Sequence, residues 1–365
     1  MTEQIPSPTA PSSPELPPER FAEMALRIEA EVGRFIVGQQ QLVRQTLISL
    51  IAGSHALLEG VPGLGKTMLV RTMADALDLG FSRIQFTPDL MPADIIGTNI
   101  IVEEGGERRF RFQQGPIFGN LILADEINRA TPKTQSALLE AMQEHRVTVA
   151  KQQYTLSEPF FVLATQNPLE MEGTYPLPEA QLDRFMLKVL VDYPEYSDEL
   201  TVVDRAMQPP PPPSQVLDPQ VLKGAQELVR TVYVDRRLRD YAVKLASATR
   251  RPKDFNLDEI EPYIQYGASP RAPINLILAA RALAVQRGRD YLLPSDVEWL
   301  APDVLRHRIV PSYRALAEGI SVDHILARVA EKLPVPGVQT LTYNRPTWAI
   351  IPGRGPVEPP TAGED

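Results

Sequence analysis

One stretch of this sequence has the residue types and spacing of a phosphate-binding loop. Residues 60–67 read Gly-Val-Pro-Gly-Leu-Gly-Lys-Thr and match the pattern G-x-x-x-x-G-K-[ST] at every fixed position. In such a loop, backbone N–H groups and a helix N-terminus face the β-phosphate. Lys66 would add positive charge at the β- and γ-phosphates, and the Thr67 hydroxyl would be a magnesium ligand. We expect ATP to contact Gly60, Val61, Pro62, Gly63, Leu64, Gly65, Lys66, Thr67 and Met68.

Two acidic residues end a later apolar run. Residues 121–124 are Leu-Ile-Leu-Ala, and Asp125 and Glu126 follow them. At the carboxyl end of a parallel strand, both side chains would emerge beside the phosphates. We expect Asp125 to hold magnesium, through water, and Glu126 to polarise the attacking water. A solvated strand end, or a helix N-terminus that favours acids, would explain the same residues without a ligand.

A third polar group follows another apolar run. Residues 160–165 are followed by Gln166, Asn167 and Pro168. The amide of Asn167 could contact the γ-phosphate or orient the attacking water. An Asx turn before proline is the alternative interpretation.

The elements that must position these groups alternate along residues 20–193. Apolar runs of four to six residues are separated by helical patterns, and such runs favour strands buried on both faces of a mostly parallel sheet. The loop follows the first run and opens a helical pattern, a context that favours a nucleotide site over an unliganded glycine-rich loop. The four runs are Ala56–Glu59, 83–87, 121–124 and 160–165.

A run of five prolines, residues 209–213, interrupts this pattern as a semi-rigid spacer. Beyond it, Asp218-Pro219 predicts a helix N-cap and first helical residue. Ser269-Pro270 and Pro294-Ser295 also mark expected helix starts. One helical stripe comprises Leu238, Tyr241, Ala242, Leu245 and Ala248.

The domain organisation follows from these boundaries. Both ends of the chain are rich in proline, so we expect a disordered lead and an extended tail, with Trp348 and Ile350-Ile351 docking on the body. The predicted divisions are a lead at 1–18, an α/β domain at 19–207, a linker at 208–216, an all-helical domain at 217–335 and a tail at 336–365.

Composition excludes several classes of function. The chain of 365 residues contains no cysteine, which excludes disulfides, thiolate catalysis and zinc–cysteine sites. A net charge of −9 argues against a general nucleic-acid-coating surface. The N-terminus lacks the apolar core of a signal peptide, and no apolar run reaches the length of a membrane span. We expect a cytoplasmic protein.

Taken together, the sequence resembles the MoxR family of AAA+ ATPases over about residues 20–335. The resemblance is most specific in residues 125–144. It implies a P-loop AAA+ core with a five-stranded parallel sheet between helix layers, and a C-terminal all-helical lid. The matching segments are Val37-Gly38-Gln39 and residues 60–67, 124–130, 132–135, 138–144, 164–168, 182–185 and 267–271.

The resemblance also implies roles for individual residues. The segment containing Val37, Gly38 and Gln39 is similar to the one that lies against adenine, and Asn167 matches the position called sensor 1. Arg184 matches the arginine finger that reaches a neighbouring subunit's γ-phosphate, where such arginines are worth roughly 10³–10⁵ in rate.

Arg184 has an alternative role, because it could pair with Asp183 or with the sheet edge. Arg271 matches sensor 2 of the lid. Ser269-Pro270 places it in the first turn of a helix, where the helix dipole disfavours a cation. A γ-phosphate or a nearby carboxylate would remove that penalty.

An insert at residues 88–116 predicts a hairpin, since two β-like runs flank Gly105-Gly106. In this family such an insert faces the ring's pore or top surface; a decorative surface hairpin is the alternative. Thr131-Pro132 predicts the cap and first residue of a helix whose buried stripe contains Leu138, Leu139 and Met142. We expect exposed or subunit-facing positions for Asn128, Arg129, Lys133 and Glu144.

The family implies an ATP-hydrolysing homo-oligomeric ring, expected to be a hexamer, that uses ATP and Mg²⁺. It would act as a chaperone-like assembly or metal-insertion factor with a partner that carries a von Willebrand A domain. The alternatives are a nucleotide-gated scaffold with little turnover, a magnesium-chelatase-like motor subunit and a nucleic-acid motor.

Overall fold

The computed structural model of the protein describes residues 16–104, 107–168 and 173–337. Its centre is a five-stranded parallel sheet, and the remaining strands form two-stranded antiparallel pairs. The strands are β1 (Ala56–Glu59), β2 (Phe81–Gln85), β3 (Gly97–Glu104), β4 (Glu107–Gln114), β5 (Leu121–Asp125), β6 (Arg146–Val149), β7 (Gln152–Thr155), β8 (Phe161–Gln166), β9 (Leu187–Leu190), β10 (Ile264–Tyr266) and β11 (Val310–Pro311).

The helices cover both faces of this sheet and form most of the C-terminal half. They are α1 (Pro18–Gly33), α2 (Gln40–Ile51), α3 (Lys66–Ala76), α4 (Pro92–Ile96), α5 (Pro132–Glu144), α6 (Glu179–Leu182), α7 (Tyr196–Met207), α8 (Pro219–Thr231), α9 (Arg236–Arg250), α10 (Arg271–Gln286), α11 (Pro294–Leu305), α12 (Tyr313–Glu318) and α13 (Val322–Lys332).

The sheet has the order β2-β5-β8-β1-β9, which places the three most apolar strands in the middle. Four of the five strands match the predicted apolar runs. The expectation that residues 83–87 are buried on both faces was wrong: β2 is an edge strand with Arg83 exposed. The pattern also missed β9, Leu-Lys-Val-Leu, in which Lys188 interrupts the apolar residues.

Helix starts follow the predicted capping signals. α5 begins at Pro132, and α8 begins at Pro219 after Asp218, whose side chain accepts the N–H of Gln220. Arg271 is the first residue of α10 and so lies in the first turn of a helix, as the sequence predicted. At the other end of the chain, α1 begins at Pro18, so that residue belongs to the folded part and not to the lead, since proline suits the first turn of a helix.

One continuous apolar core joins the sheet to the C-terminal helices. Buried side chains of β1, β8 and β9 share this core with α1, α2, the helices from α8 to α11, and α13. The predicted stripe on α9 is buried within it. The C-terminal region is not entirely helical, however, because β10 and β11 form a short antiparallel pair.

The predicted hairpin is present as β3 and β4. Gly97 pairs with Gln114 at one end of it, and Glu104 pairs with Glu107 at the other. A second hairpin, β6–β7, was not predicted. Phe112 of the first hairpin stacks on Tyr154 of the second, with ring centroids 4.0 Å apart. Among the described residues, no helix combines the length and the apolar character needed to cross a membrane. Trp348 and Ile350-Ile351 lie outside the described residues.

Candidate active site

The phosphate-binding loop lies where the sequence predicted, between the end of β1 and the start of α3 at Lys66. Gly63 and Gly65 have φ values of +89° and +73°, a backbone region that side chains disfavour. The loop borders a recess of about 510 Å³, a volume suited to a small ligand. Its lining residues are Gly60, Pro62, Gly63, Leu64, Gly65, Lys66, Thr67, Met68, Arg71, Arg83, Asp125, Glu126, Thr165, Gln166 and Asn167. Val61 is not among them.

Lys66 is half-buried at the base of the recess, where its Nζ donates to the backbone oxygen of Gly60. Burial lowers the pKa of Lys66, because it disfavours the charged ammonium; the nearby Asp125 and Glu126 oppose this shift. A bound phosphate would supply further negative charge and favour the ammonium form. The site therefore fits an anionic ligand.

Both carboxylate oxygens of Asp125 accept hydrogen bonds. Thr165 Oγ1 donates to Oδ1 at 2.7 Å, and Arg83 Nη2 donates to Oδ2 at 2.6 Å. Arg83 lies two residues before Gln85, which pairs with Asp125 across the β2–β5 register. An arginine therefore neutralises this carboxylate in the structure.

Glu126 is also held in place. Its φ of +56° is unusual for a residue with a side chain and is of the kind concentrated at functional sites. Its N–H donates to Thr165 Oγ1 at 2.8 Å. Its Oε2 accepts from Gln85 Nε2 at 2.8 Å and from Arg129 Nη1 at 3.0 Å. The carboxylate thus faces the recess while bonded to two neighbours.

The oxygen donors at this site suit magnesium. Thr67 supplies a hydroxyl and Asp125 a carboxylate, and both border the recess beside the phosphate loop. Mg²⁺ is commonly bound by one or two protein oxygens together with substrate phosphates and water. In the part of the chain that the structure describes, no group of three acidic or histidine side chains could hold a metal alone. The donor set therefore fits a metal that arrives with the nucleotide.

Asn167 follows β8 and is buried, with only 6% of its surface exposed, and it borders the same recess. The structure thus brings Asn167 together with Lys66 and Glu126. The segment with Val37, Gly38 and Gln39 lies beside the recess and not in its lining. The neighbouring Ile36 approaches the phosphate loop: its Cδ1 lies 3.5 Å from the position that a Cβ atom on Gly65 would occupy.

Arg184 lies away from the loop of its own chain. It precedes β9, which begins at Leu187 opposite Ala56 of the parallel strand β1, whereas the loop follows the other end of β1. The two ends of this four-residue strand, Ala56 and Glu59, are about 10 Å apart. Nη1 of Arg184 donates to the backbone oxygen of Leu139 at 2.8 Å. Its side chain therefore borders a different recess, formed mainly by α5 and the β6–β7 hairpin.

Arg271 lies on the same side as Arg184. Its Nη1 is 3.9 Å from Oδ2 of Asp183, and Ser269 Oγ donates to that same oxygen at 3.0 Å. In the isolated chain, the Asp183 carboxylate is therefore the anion beside the N-terminus of α10. Neither Arg184 nor Arg271 borders the recess at the phosphate loop.

The residues that hold the acids escaped the sequence analysis. Arg83 and Gln85 could have been found, because they alternate on one strand with the buried Ile84. Thr165 lies in a matching segment but received no role. One expectation was wrong: Asn128 is buried, 8% exposed, because the loop carrying Tyr175 covers it and bonds to its backbone oxygen at 2.7 Å.

Comparison with known sequence families gives two matches. The ATPase family associated with various cellular activities (AAA) matches residues 55–187, which contain the loop, both acids, Asn167 and Arg184. The AAA lid domain matches residues 258–329, which contain Arg271.

Similar proteins cover most of the chain. It is 47% identical over 311 residues to Chaperone MoxR1 of Mycobacterium tuberculosis, which covers 85% of this chain and 82% of that protein. Protein MoxR of Methylorubrum extorquens is 31% identical over 337 residues, which cover 87% of this chain and 96% of that protein. A crystal structure of a candidate ATPase from Cytophaga hutchinsonii has a TM-score of 0.82 and 44% identity, covering 87% of this chain and 96% of that one.

Proposed function

This chain belongs to the MoxR family of AAA+ ATPases, and from that premise we propose that it hydrolyses ATP at sites shared between neighbouring copies in a ring. Its fold is the α/β AAA+ core with a helical C-terminal lid. The observation that carries the proposal is the separation of Arg184 from the phosphate loop by the length of β1 and β9. A second copy can supply the arginine that the first copy keeps out of its own recess.

Different residues of the recess would perform different parts of the reaction. The loop and Lys66 bind the triphosphate, Asn167 orients the attacking water, and Glu126 polarises it. Bound with the nucleotide at Thr67 and Asp125, Mg²⁺ would neutralise charge on the phosphates. The segment containing Val37, Gly38 and Gln39 would contact the adenine.

The neighbouring copy would contribute two cations. Arg184 would reach the γ-phosphate, where an arginine disperses the charge of the transition state. Arg271 lies on the same side of the chain through its proximity to Asp183. We therefore assign both arginines to the neighbour's nucleotide, in a ring that we propose to be a hexamer.

The cellular role that we propose is that of a cytoplasmic chaperone-like assembly or metal-insertion factor. The relative named Chaperone MoxR1 supports the chaperone part of this role. The family resemblance supports a partner with a von Willebrand A domain. Movement of the lid against the sheet, driven by hydrolysis, would transmit force to that partner or its client.

A nucleotide-gated scaffold is a second candidate function. It is favoured by the hydrogen bonds from Gln85 and Arg129 to Glu126, which occupy one of the two carboxylate oxygens and draw charge from the group that would polarise water. If those bonds persist with ATP bound, the ring would bind nucleotide and turn over slowly. The rate of phosphate release by the purified protein distinguishes the two functions.

Mixing two inactive variants tests the shared site. Arg184→Ala keeps an intact loop, and Lys66→Ala keeps an intact Arg184, so a mixed ring contains competent pockets. Random mixing at equal ratio makes about a quarter of the pockets competent, because each needs one copy of each kind in a given order. We expect phosphate release from the mixture to exceed that of both parents.

The control is a mixture of Arg184→Ala with the double variant Arg184→Ala/Lys66→Ala, which contains no competent pocket. No recovery across several ratios, in rings shown to contain both kinds of subunit, would contradict the shared site.

A further inference from the structure

The helix α7 is amphipathic, but its polar side faces the protein and its apolar side faces solvent, the reverse of an ordinary surface helix. The residues that face its own domain are polar: Asp198, Thr201 and Arg205 are half-buried. Asp198 lies directly against Gly38, leaving no space for a side chain there. Arg205 Nη1 donates to the backbone oxygens of Gly33, at 2.8 Å, and of Arg34. The helix is thus attached to its domain by hydrogen bonds.

Four large apolar residues of α7 face away from the domain. Their spacing of four, three and four residues aligns them within an arc of roughly 60°, on the side opposite Asp198 and Arg205. Each is more than half exposed, and none of α7 is fully buried. We call these four residues the α7 stripe: Tyr196, Leu200, Val203 and Met207.

The helix that carries the stripe lies beside the nucleotide recess, with its polar side toward it. Asp198 contacts Gly38, in the segment whose Ile36 approaches Gly65 of the phosphate loop. A neighbouring copy that brings its arginines to this recess must therefore come close to α7. Among the described residues, no segment of the same chain covers the stripe.

A matching apolar surface lies on the other side of the chain, next to Arg271. Ile274 follows Arg271 by one helical turn, and Tyr266 borders the recess that contains Asp183 and Ser269. Tyr266 and Ile274 are each 66% exposed. The surface that approaches the neighbour's nucleotide therefore also presents two apolar side chains.

Charge favours the same pairing. Exposed Glu195 and Glu199 run along one edge of the stripe, at positions i and i+4. Arg250 and Arg251 are exposed and line a recess adjoining Tyr266 through the shared residues Gln265 and Gly267. The same recess also contains Asp254 and the ion pair of Lys253 with Glu261, so its three basic residues outnumber its two acidic ones. An acidic edge would thus meet a basic one. We call Tyr266, Ile274, Arg250 and Arg251 the receiving face.

We propose that the α7 stripe of one copy docks on the receiving face of a second copy of this chain. The contact is heterologous, because the two surfaces differ, and it propagates from copy to copy as a ring requires. It would bury apolar side chains that the isolated chain leaves in water. The inference rests on the proposed shared site and adds the surface that holds the two copies in register.

Cross-linking tests the contact directly, since the chain contains no cysteine. Val203→Cys and Ile274→Cys are made in separate chains of different length and mixed with a non-hydrolysable ATP analogue. A short bismaleimide should then join one chain to the other. Each variant alone should give no product, and Leu26→Cys, which replaces an exposed leucine on α1, should give none with Ile274→Cys.

Several results would overturn the proposal. Cross-linking of Val203→Cys chains only to one another would show a symmetric contact between two α7 helices. If Val203→Cys and Ile274→Cys chains give no link and the double variant Val203→Cys/Trp348→Cys gives an intrachain one, the chain's own C-terminal segment covers the stripe. Absence of any product in assembled protein would also contradict the docking.

Assembly provides an independent measurement. The variant Leu200→Ser/Val203→Ser should raise the protein concentration needed for ATP-dependent assembly by about tenfold or more, since it removes apolar contact from the interface. Leu26→Ser should leave it unchanged. If the wild-type chain fails to assemble with nucleotide, the shared site and the docking both fail. If it assembles and the double variant matches it, only the docking fails.

Discussion

The guanidinium of Arg308 is fully enclosed, and its Nε lies 2.7 Å from Oδ1 of Asp183, the residue next to Arg184. Nη2 of Arg308 also donates to the backbone oxygen of Phe185 at 2.6 Å. Burial lowers the pKa of Arg308 to about 10, and Asp183 opposes this shift. Arg308, in the lid, thus holds the turn that positions Arg184 in the sheet domain.

We expect Asp183→Asn to lower the free energy of unfolding by about 2–4 kcal/mol, because it leaves the buried Arg308 without a counter-charge. Urea unfolding measures this change. Asp240→Asn is the matched control: its partner Lys244 is exposed, so the loss should be below about 0.5 kcal/mol. Equal midpoints for the two variants would contradict a structural role for Asp183.

Glu126→Gln should retain ATP binding and lower turnover by about 10²–10⁴, because the amide keeps the shape of the side chain but cannot take a proton from water. Binding is measured with a fluorescent ATP analogue and turnover by phosphate release. Glu227→Gln, at an exposed position on α8, should behave as wild type. A wild-type rate for Glu126→Gln would show that another group activates the water.

Arg83→Gln should raise the affinity for ATP in the presence of Mg²⁺ by up to about fivefold, since the ion pair with Asp125 must break before that carboxylate can serve the metal. Affinity for ATP without metal should not rise. Calorimetry with and without Mg²⁺ separates these effects, and Arg109→Gln, on the exposed hairpin, is the control. A loss of affinity would show that Arg83 contacts the nucleotide itself.

Stability should fall as the pH drops from 7 to 5, because two buried histidines resist protonation. Burial lowers the pKa of His55 to about 4 and that of His307 well below its usual value. The unfolded chain takes up protons near pH 6.5 while the folded chain does not, so stability present above pH 6.5 is lost below it. His55 should contribute about 2 kcal/mol of loss at pH 5, and His307 should add to that loss.

Urea unfolding at pH 7 and pH 5 measures this loss. His55 accepts the N–H of Val162 at 3.1 Å, and its other ring nitrogen lies 3.0 Å from the Met142 carbonyl oxygen, which suits a neutral ring. His55→Gln should therefore reduce the difference between the two pH values. His324→Gln, at an exposed position, should not. An unchanged difference in His55→Gln would contradict the assignment.

The sequence alone was sufficient for features that depend on neighbouring residues. The glycines of the loop at residues 60–67 favour its conformation locally. Asp125 ends β5 and Glu126 follows it, whatever the position of β5 in the sheet. Proline after a capping residue started α5 and α8 as predicted. The resemblance to the MoxR family was confirmed by relatives that cover most of the chain. The roles of the individual site residues stay predictions.

Tertiary structure decided what depends on residues far apart in the chain. Arg308 pairs with Asp183 from 125 residues away, and although Asp183 lies in a matching segment, no local pattern identifies Arg308 as its partner. The short strand β9 is held by its pairing with β1, which supplies the hydrogen bonds that four residues cannot make among themselves. That pairing separates Arg184 from the phosphate loop. The outward stripe of α7 was equally hidden, because periodicity shows that a helix has an apolar face, whereas only packing shows which face meets the protein.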